Sequence, residues 1–500
     1  MDSYETNYIK FSKIQEVFLM VISEKSITSS EICFMTATEM TEHIRNKELS
    51  ALEVMEAHLL QIEQLNPRLN AIVTLAGEEA LKQARDADRG KVTGPLHGIP
   101  VAHKDLLETA AIKTTYGSLA YKDNIPDFDC IPVERIKKAG AITIGKTNTS
   151  EFGAGSQTFN SVFGKTFNPY DMTKTCGGSS GGSAVALACG MVPLATGTDA
   201  AGSLRNPASF CNVVGMRTSP GRIPIWPVSD GWNSFSVAGP MARTVSDIAL
   251  LLSVMAGPDS RSPISIQEEG HIFSRSLKRN FKGVNIAWAI DLGGLPFEPE
   301  VKKIVDSQKK VFQSLGCKVE DSEPDFTGAD KAYKAWRAWD YELILGESLK
   351  KNKFKYTLLK NIEEGERITG PQLASAERIR TELYHRIRLF MEKYEFFILP
   401  VSQVIPFDIN QEYVKEIQGV NMLTYIDWQK TCYYISLAGN PAIAVPCGFT
   451  EEGLPVGLQI VGRHKDELGL LQIAYAFEDE TKFYKRRPPV VDTIERREDT

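Results

Sequence analysis

Residues 177–205 constrain the fold more than any other stretch of the chain. They contain seven glycines and four serines, and their only charged residues are Asp199 and Arg205. Glycine has no Cβ, so it reaches positive φ and lets backbone N–H groups approach other atoms closely. A flexible linker would be polar throughout, whereas apolar residues interrupt this stretch. The pattern predicts two glycine-rich turns, around Ser179 and Ser203, which flank a short buried helix and strand.

The charge pattern argues against nucleic acid as a partner. The net charge of the 500-residue chain is −6, and acidic and basic residues are mixed along it. No basic stripe of the kind that binds nucleic acid is present. The hydrophobic fraction of 42% and the charged fraction of 24% are those of an ordinary soluble globular protein.

The N-terminal segment carries no targeting pattern that we recognise. The apolar run at 17–22 lacks the basic flank, the length and the cleavage site of a signal peptide. No run approaches the roughly 18 apolar residues of a membrane span, so we expect no membrane association and a cytoplasmic location. The first convincing helical pattern follows Met35. We therefore expect residues 1–34 to lie outside the main fold and residues 35–495 to form one domain.

The cysteines and histidines indicate neither a disulfide framework nor a metal site. Eight cysteines in 500 residues, with no C-x-x-C pair, are typical of reduced and mostly buried thiols. The seven histidines show no metal-ligand spacing. We expect no metal and no other cofactor.

Alternating helical and strand patterns predict an α/β protein. Ser50 and Glu53 have the spacing of a capping box at the start of an amphipathic helix. Residues 284–320 follow a β–α–β pattern, which favours parallel strands. No repeat or polar linker divides the chain. We expect a single large domain with a mixed, mostly parallel central sheet that is covered by helices on both faces.

One segment matches a nucleotide-binding pattern by its letters alone. Residues 140–147 read G-x-x-x-x-G-K-T, the pattern of a phosphate loop. A helix is predicted before it, and its intervening residues are apolar and β-branched, whereas a phosphate loop follows a strand. We predict a buried strand here and no nucleotide site.

The residues themselves point to serine chemistry with lysine as the base. Lys104 ends an apolar run, and burial would lower its pKa enough to make it a base. Neutral lysine can activate a serine nucleophile, and clustered N–H groups at 198–203 suit an oxyanion hole. On these grounds two other interpretations stay open: the N–H groups bind a phosphate, or the glycine-rich turn only packs tightly.

Several motifs together closely resemble the amidase signature family. They extend over about 40–480 and are weakest at 258–395; they lie at 97–105, 141–148, 163–169, 177–183, 197–205, 207–211, 239–243, 440–446 and 453–460. The resemblance implies a Ser–cis-Ser–Lys triad. Ser203 would be the nucleophile, Ser179 the bridging serine with a cis peptide bond before it, and Lys104 the base.

The resemblance also implies how the surrounding turn works. The oxyanion hole would consist of backbone N–H groups of Ala200, Ala201, Gly202 and Ser203. Structural support would come from Asp199, Arg205, Gly178 and Ser180. The family often has glycine where Ala201 stands, so the geometry of this turn is open.

The implied function is hydrolysis of the C–N bond of small or aryl amides, with carbamates and esters also considered. One alternative is the glutaminase subunit of a tRNA-dependent amidotransferase. Another is a non-catalytic binding member of the same fold. The expected partners are a small-molecule amide and water, and a homodimer is the one assembly considered. The region 258–395 would determine the substrate, and aromatic pocket candidates are Tyr116, Trp226, Trp232, Trp336 and Trp339.

Overall fold

The computed structural model describes residues 27–349 and 354–492. The apolar run at 17–22 lies outside these residues. The α-helices are α1 Ser29–Phe34, α2 Ala37–Asn46, α3 Ala51–Leu69, α4 Gly77–Arg89, α5 Ile131–Lys138, α6 Gly181–Ala188, α7 Arg205–Phe210, α8 Val245–Met255, α9 Pro299–Asp306, α10 Lys309–Ser314, α11 Ala329–Leu349, α12 Tyr356–Glu366, α13 Gly370–Lys393, α14 Lys430–Ala438 and α15 Glu467–Thr481.

Eleven strands form one central sheet, namely β1 Ile72–Leu75, β2 Pro100–Lys104, β3 Ile142–Thr147, β6 Leu194–Asp199, β7 Val214–Arg217, β8 Val237–Ala242, β9 Asn285–Trp288, β10 Lys318–Asp321, β11 Phe396–Pro400, β14 Ala442–Phe449 and β15 Pro455–Val461. Their order across the sheet is β1-β3-β2-β6-β8-β7-β14-β15-β11-β9-β10. Two small hairpins lie outside it, β4 Phe159–Asn160 with β5 Gly164–Lys165, and β12 Glu416–Ile417 with β13 Val420–Asn421.

The sheet is mixed, as predicted, but most of its strand pairs are antiparallel, so the expected parallel majority is wrong. The parallel pairs are β2–β3, β2–β6, β9–β10 and β9–β11. The other neighbours pair antiparallel, namely β1–β3, β6–β8, β7–β8, β7–β14, β14–β15 and β11–β15. The helices α9 and α10 connect β9 to β10 and allow a parallel pair, whereas the short turn between β14 and β15 closes a hairpin.

Helices cover both faces of the sheet. Successive strand residues point to opposite faces, and they belong to different apolar clusters. Val101 and Ile443 pack in one cluster with α8 and α15, while Ala102 and Ala444 pack in another with α3 and α6. Because apolar clusters cover both faces of the sheet, β2 and β6 lie in the interior of the protein. A charged side chain on these strands loses its contact with water.

The main fold begins earlier than the predicted boundary at residue 35. Helix α1 starts with a capping box between Thr28 and Glu31, and its Ile32 and Cys33 side chains are buried in the core. The Cys33 thiol donates to the Ala57 carbonyl at 3.4 Å. Residues 29–34 are therefore part of the domain because they bury apolar surface against α3.

Several local predictions are confirmed. Ser50 and Glu53 form the capping box of α3, and residues 140–147 form the end of a turn and strand β3 after α5. The eight cysteines are free and buried. None of the helices in the described part of the chain is both long and apolar enough to span a bilayer.

Candidate active site

Lys104 is a buried cation that forms no ion pair with a carboxylate among the described residues. It is the last residue of β2, between β3 and β6, and its side chain is fully buried. Its ammonium donates to Ser179 Oγ at 2.7 Å, Ser180 Oγ at 2.9 Å and Thr198 Oγ1 at 2.9 Å. Burial lowers the pKa of Lys104 to about 7, although the charge of Asp199 acts in the opposite direction. The structure therefore places a lysine that is partly neutral near pH 7 against three hydroxyl groups.

Ser179 lies in the first glycine-rich turn, directly before α6. The peptide bond between Gly178 and Ser179 is cis, as the resemblance implies. A Cβ on Gly178 would lie 2.7 Å from the carbonyl carbon of Gln157, so only glycine fits between the turn and that backbone. Ser179 and Ser180 are buried, and the N–H of Ser180 donates to the carbonyl of Ser203 at 3.2 Å. This bond connects the two serine turns.

The second turn, between β6 and α7, requires glycine at one position and accepts alanine at another. Gly202 has φ of 116°, and a Cβ there would lie 2.5 Å from the Cβ of Cys432. Ala201 is not among the described non-glycine residues with positive φ, and its methyl packs against a core cluster rich in tyrosine. The alanine at 201 is therefore compatible with the turn.

The expected oxyanion donors are not equivalent. The N–H of Gly202 donates to Asp199 Oδ1 at 2.9 Å, which occupies it. Within the described residues, the N–H groups of Ala201 and Ser203 donate no hydrogen bond. The turn therefore presents unoccupied N–H groups beside the Ser203 hydroxyl, and Gly202 contributes to the shape of the turn.

A buried ion pair holds this turn. Arg205 donates from Nε to Asp199 Oδ2 at 3.0 Å and from a terminal nitrogen to Asp199 Oδ1 at 2.9 Å. Arg217 approaches Asp199 Oδ1 at 3.4 Å. Burial alone would raise the pKa of Asp199, but the Arg205 and Arg217 guanidiniums hold it well below its usual range. Asp199 stays ionised and also accepts the N–H of Leu204 at 3.1 Å.

The half-buried Ser203 side chain faces a cleft. No hydrogen bond joins Ser203 Oγ to Ser179 Oγ in the part of the chain that the structure describes. The cleft is lined by Gly153, Gly155, Ala200, Ala201, Ser203, Phe235, Tyr333, Arg337, Asp340, Tyr341, Tyr425, Ile426 and Gln429. It connects the serine turn to one face of α11.

The aromatic walls of the cleft differ from the expected ones. Tyr116, Trp226, Trp232, Trp336 and Trp339 are absent from the lining, which holds Phe235, Tyr333, Tyr341 and Tyr425 instead. Tyr333, Arg337 and Tyr341 are four residues apart, a spacing that places them on one face of α11. That helical spacing is the signal in the sequence that could have identified these residues.

The described residues contain no group of three histidine, cysteine, aspartate or glutamate side chains that could hold a metal ion. The groups able to act chemically are the lysine, the serine hydroxyls and the backbone N–H groups of the second turn.

Fold and site thus define an α/β protein in which a buried lysine supports two serine turns at the floor of a cleft. The family model described as Amidase matches residues 53–471. The chain belongs to the amidase signature family, whose members are hydrolases of C–N amide bonds with a characteristic Ser–Ser–Lys triad.

Similar proteins include hydrolases and amidotransferase components. An acylamidase of Rhodococcus erythropolis is 33% identical over 92% of this chain and 98% of its own. A glutamyl-tRNA(Gln) amidotransferase subunit of Carboxydothermus hydrogenoformans is 35% identical over 92% of this chain and 99% of its own. The structure of a bacterial aryl acylamidase has a TM-score of 0.85 at 27% identity and covers 90% of this chain and 98% of that one.

Proposed function

We propose that this amidase hydrolyses small or aryl amides through an acyl-enzyme on Ser203. The observation that carries the proposal is the buried Lys104 ammonium, 2.7 Å from Ser179 Oγ. Because burial lowers the pKa of Lys104 to about 7, a sizeable fraction is neutral at physiological pH and can accept a proton. The similarity to an acylamidase and an aryl acylamidase supports this substrate class.

In the proposed reaction, neutral Lys104 takes the proton of Ser179, which takes the proton of Ser203. Ser203 Oγ attacks the amide carbonyl, and the resulting oxyanion accepts hydrogen bonds from N–H groups of the second turn. The C–N bond then breaks, and the relayed proton leaves with the amine. A water molecule then gives its proton to Ser179, which passes its own to Lys104, and attacks the ester of Ser203; the proton returns along Ser179 to Ser203 Oγ as the acid leaves. No cofactor is required for this sequence.

The test is hydrolysis of 4-nitroacetanilide, followed by the absorbance of 4-nitroaniline. We expect Ser203→Ala to lower kcat/KM by roughly 10³-fold or more, because the covalent route is lost. Lys104→Ala should lower it by about 10²- to 10⁴-fold, the usual contribution of a general base. The exposed Ser236 provides the control, since Ser236→Ala should retain full activity. Full activity of Ser203→Ala would refute the proposed nucleophile.

A second candidate function is that of the glutaminase component of a tRNA-dependent amidotransferase, favoured by the 35% identity to a protein of that kind. Ammonia release from L-glutamine that requires added partner proteins, with no hydrolysis of aryl amides by the chain alone, would select this candidate. A panel of acetanilides, aliphatic amides, carbamates and esters assayed with the chain alone separates the remaining substrate classes.

A further inference from the structure

Arg337 is a cation held rigidly in the wall of the catalytic cleft. It lies on α11, one turn after Tyr333, and lines the same cleft as Ser203. One terminal nitrogen donates to Asn361 Oδ1 at 2.7 Å. The guanidinium carbon lies 5.0 Å from the ring centroid of Tyr341 and 4.8 Å from that of Tyr425. These contacts and a hydrogen bond to the Tyr341 hydroxyl fix the guanidinium plane, and its remaining N–H groups donate to no other described group.

No carboxylate among the described residues forms an ion pair with Arg337. Three arginines that are buried outside the cleft, Arg205, Arg217 and Arg222, differ in this respect, whereas the buried Arg243 donates to backbone carbonyls. Arg205 and Arg217 pair with Asp199, and Arg222 pairs with Glu467 at 2.8 Å. Removing a guanidinium from water is costly unless a partner compensates for the lost hydration. Arg337 is half-buried, and no carboxylate in the described part of the chain compensates its charge by an ion pair.

The one carboxyl group in the lining does not provide that compensation. Asp340 follows Arg337 by three residues, and its Oδ1 accepts a hydrogen bond from the Asn233 amide. Burial, together with the like charge of Asp230, raises the pKa of Asp340 to about 7, although the Asn233 hydrogen bond and the charge of Arg337 act in the opposite direction. Asp340 is therefore only partly ionised near neutral pH and offsets the charge of Arg337 only in part.

We propose that Arg337 recognises a carboxylate on the substrate, so that the preferred amides carry an acid group in addition to the scissile bond. This inference rests on the proposed hydrolysis at Ser203. A planar guanidinium with two free donors binds a carboxylate in bidentate geometry. Phe235, Tyr333 and Tyr425 line the same cleft and suit the apolar or aryl segment between the two polar groups. The acid group lies on the acyl side or on the amine side of the amide.

Two substrate pairs distinguish these sides. Acetanilide against 4-acetamidobenzoate tests a carboxylate on the amine side, and butyranilide against succinanilate tests one on the acyl side. We expect the wild-type protein to prefer the charged member of one pair in kcat/KM by about 10- to 100-fold, the usual contribution of a charge-assisted hydrogen bond. Arg337→Met should abolish the preference, because it should lower kcat/KM for the charged member about 10- to 100-fold more than for the neutral member. Arg337→Lys should retain part of it.

Binding to the Ser203→Ala variant tests the inference without turnover. Isothermal titration with 4-acetamidobenzoate and succinanilate should give tighter binding than with the neutral amides, and adding Arg337→Met should remove the difference. The exposed Arg378 provides the matched control, since Arg378→Met should change nothing. Equal affinity for charged and neutral ligands would overturn the inference. An equal loss for both in Arg337→Met would assign Arg337 a purely structural role and would overturn it as well.

These readouts separate the two proposals. Turnover of neutral amides that depends on Ser203, without discrimination by charge, supports the proposed function and refutes the role of Arg337. Carboxylate binding that depends on Arg337, without hydrolysis of any amide, supports the role of Arg337 and refutes the proposed function.

Discussion

Burial acts on two neighbouring charged residues with opposite results. Lys104 and Asp199 are both fully buried, and burial disfavours the charged form of each. The Lys104 ammonium donates to three hydroxyl groups and to no carboxylate among the described residues, so burial prevails and its pKa falls to about 7. Asp199 contacts two guanidiniums, and their charges prevail over burial. The site thus combines a permanently charged anion in the second turn with a titratable amine at the end of β2.

The pKa of Lys104 predicts the pH dependence of the reaction. In the proposed mechanism the neutral amine is the active form, so kcat/KM for an uncharged amide should rise as pH increases through about 7 and level off above it. The measurement is kcat/KM for 4-nitroacetanilide from about pH 5.5 to 9, a range over which this substrate does not titrate. A profile that is flat or falls across this range would contradict the role of Lys104 as base.

The two small residues at 201 and 202 should respond in opposite ways to a change of one methyl group. Gly202→Ala places a Cβ 2.5 Å from Cys432 Cβ at a φ of 116°, and strain of this kind costs about 1–3 kcal/mol. We expect at least a tenfold loss of kcat/KM because the turn that carries Ser203 must shift. Ala201→Gly, the matched control, should cost about 1 kcal/mol or less. Equal activity of both variants in the 4-nitroacetanilide assay would exclude a constraint at Gly202.

Among the elements, the connection from β6 to α7 matters most because it carries Ser203, the proposed nucleophile. Asp199 accepts hydrogen bonds from the N–H groups of Gly202 and Leu204 within this connection, and it forms an ion pair with Arg205 at the start of α7. Arg205 also donates hydrogen bonds to the carbonyl of Cys432 and to the hydroxyl of Ser436 on α14. One ion pair therefore fixes the turn to a helix more than two hundred residues later in the chain.

Replacing one partner of this pair should destabilise the whole domain. Asp199→Asn leaves Arg205 and Arg217 buried without an anion, and such losses cost about 3–5 kcal/mol. The measurement is the free energy of unfolding from urea titration, with Asp123→Asn as the control. Asp123 is 77% exposed in its pair with Lys113, and surface pairs contribute about 1 kcal/mol or less. Similar values for both variants would show that the buried pair is not structural.

The sequence supports predictions where neighbouring residues determine the structure. The capping box of α3, the parallel pair β9–β10 and the adjacent strands β14 and β15 follow from local spacing and connection length. The position of β6 beside β8 does not, because 37 residues separate their ends and nothing local sets the strand order. This non-local pairing is why the antiparallel majority escaped prediction.

For the whole molecule, the cleft combines segments that only the tertiary structure brings together. Lys104, Ser179 and Ser203 were identifiable because they lie in motifs of the amidase signature family. Arg337 and Tyr425 lie 134 and 222 residues after Ser203, and no motif marks them. The four-residue spacing of Tyr333, Arg337 and Tyr341 marks one face of α11 in the sequence, but only the fold shows that this face lies opposite the serine turn.

The N-terminal boundary of the domain can be located by comparing two truncations. Removing residues 1–35 deletes α1 and with it the burial of Ile32, which alone contributes about 1.5–3 kcal/mol. It also deletes the Met35 carbonyl that accepts from the buried Arg243 at 2.6 Å, and the Phe34 ring that lies 5.7 Å from the same guanidinium. Arg243 keeps the carbonyls of Leu187 and Val192 as acceptors, but its other terminal nitrogen loses its acceptor, and an unpaired buried donor costs about 1–3 kcal/mol.

We therefore expect the chain without residues 1–35 to unfold at a Tm lower by about 4 °C or more, and the chain without residues 1–26 to match the full chain. The estimate follows from the usual shift of about 2–4 °C per kcal/mol in domains of 150–250 residues, which is smaller in longer ones. The shorter truncation retains Thr28, whose hydroxyl accepts the N–H of Glu31 at the start of α1. Thermal unfolding followed by circular dichroism, with 4-nitroacetanilide turnover at 25 °C as the measure of activity, checks both variants. Equal Tm values for the two truncations would place the boundary after α1, at residue 35.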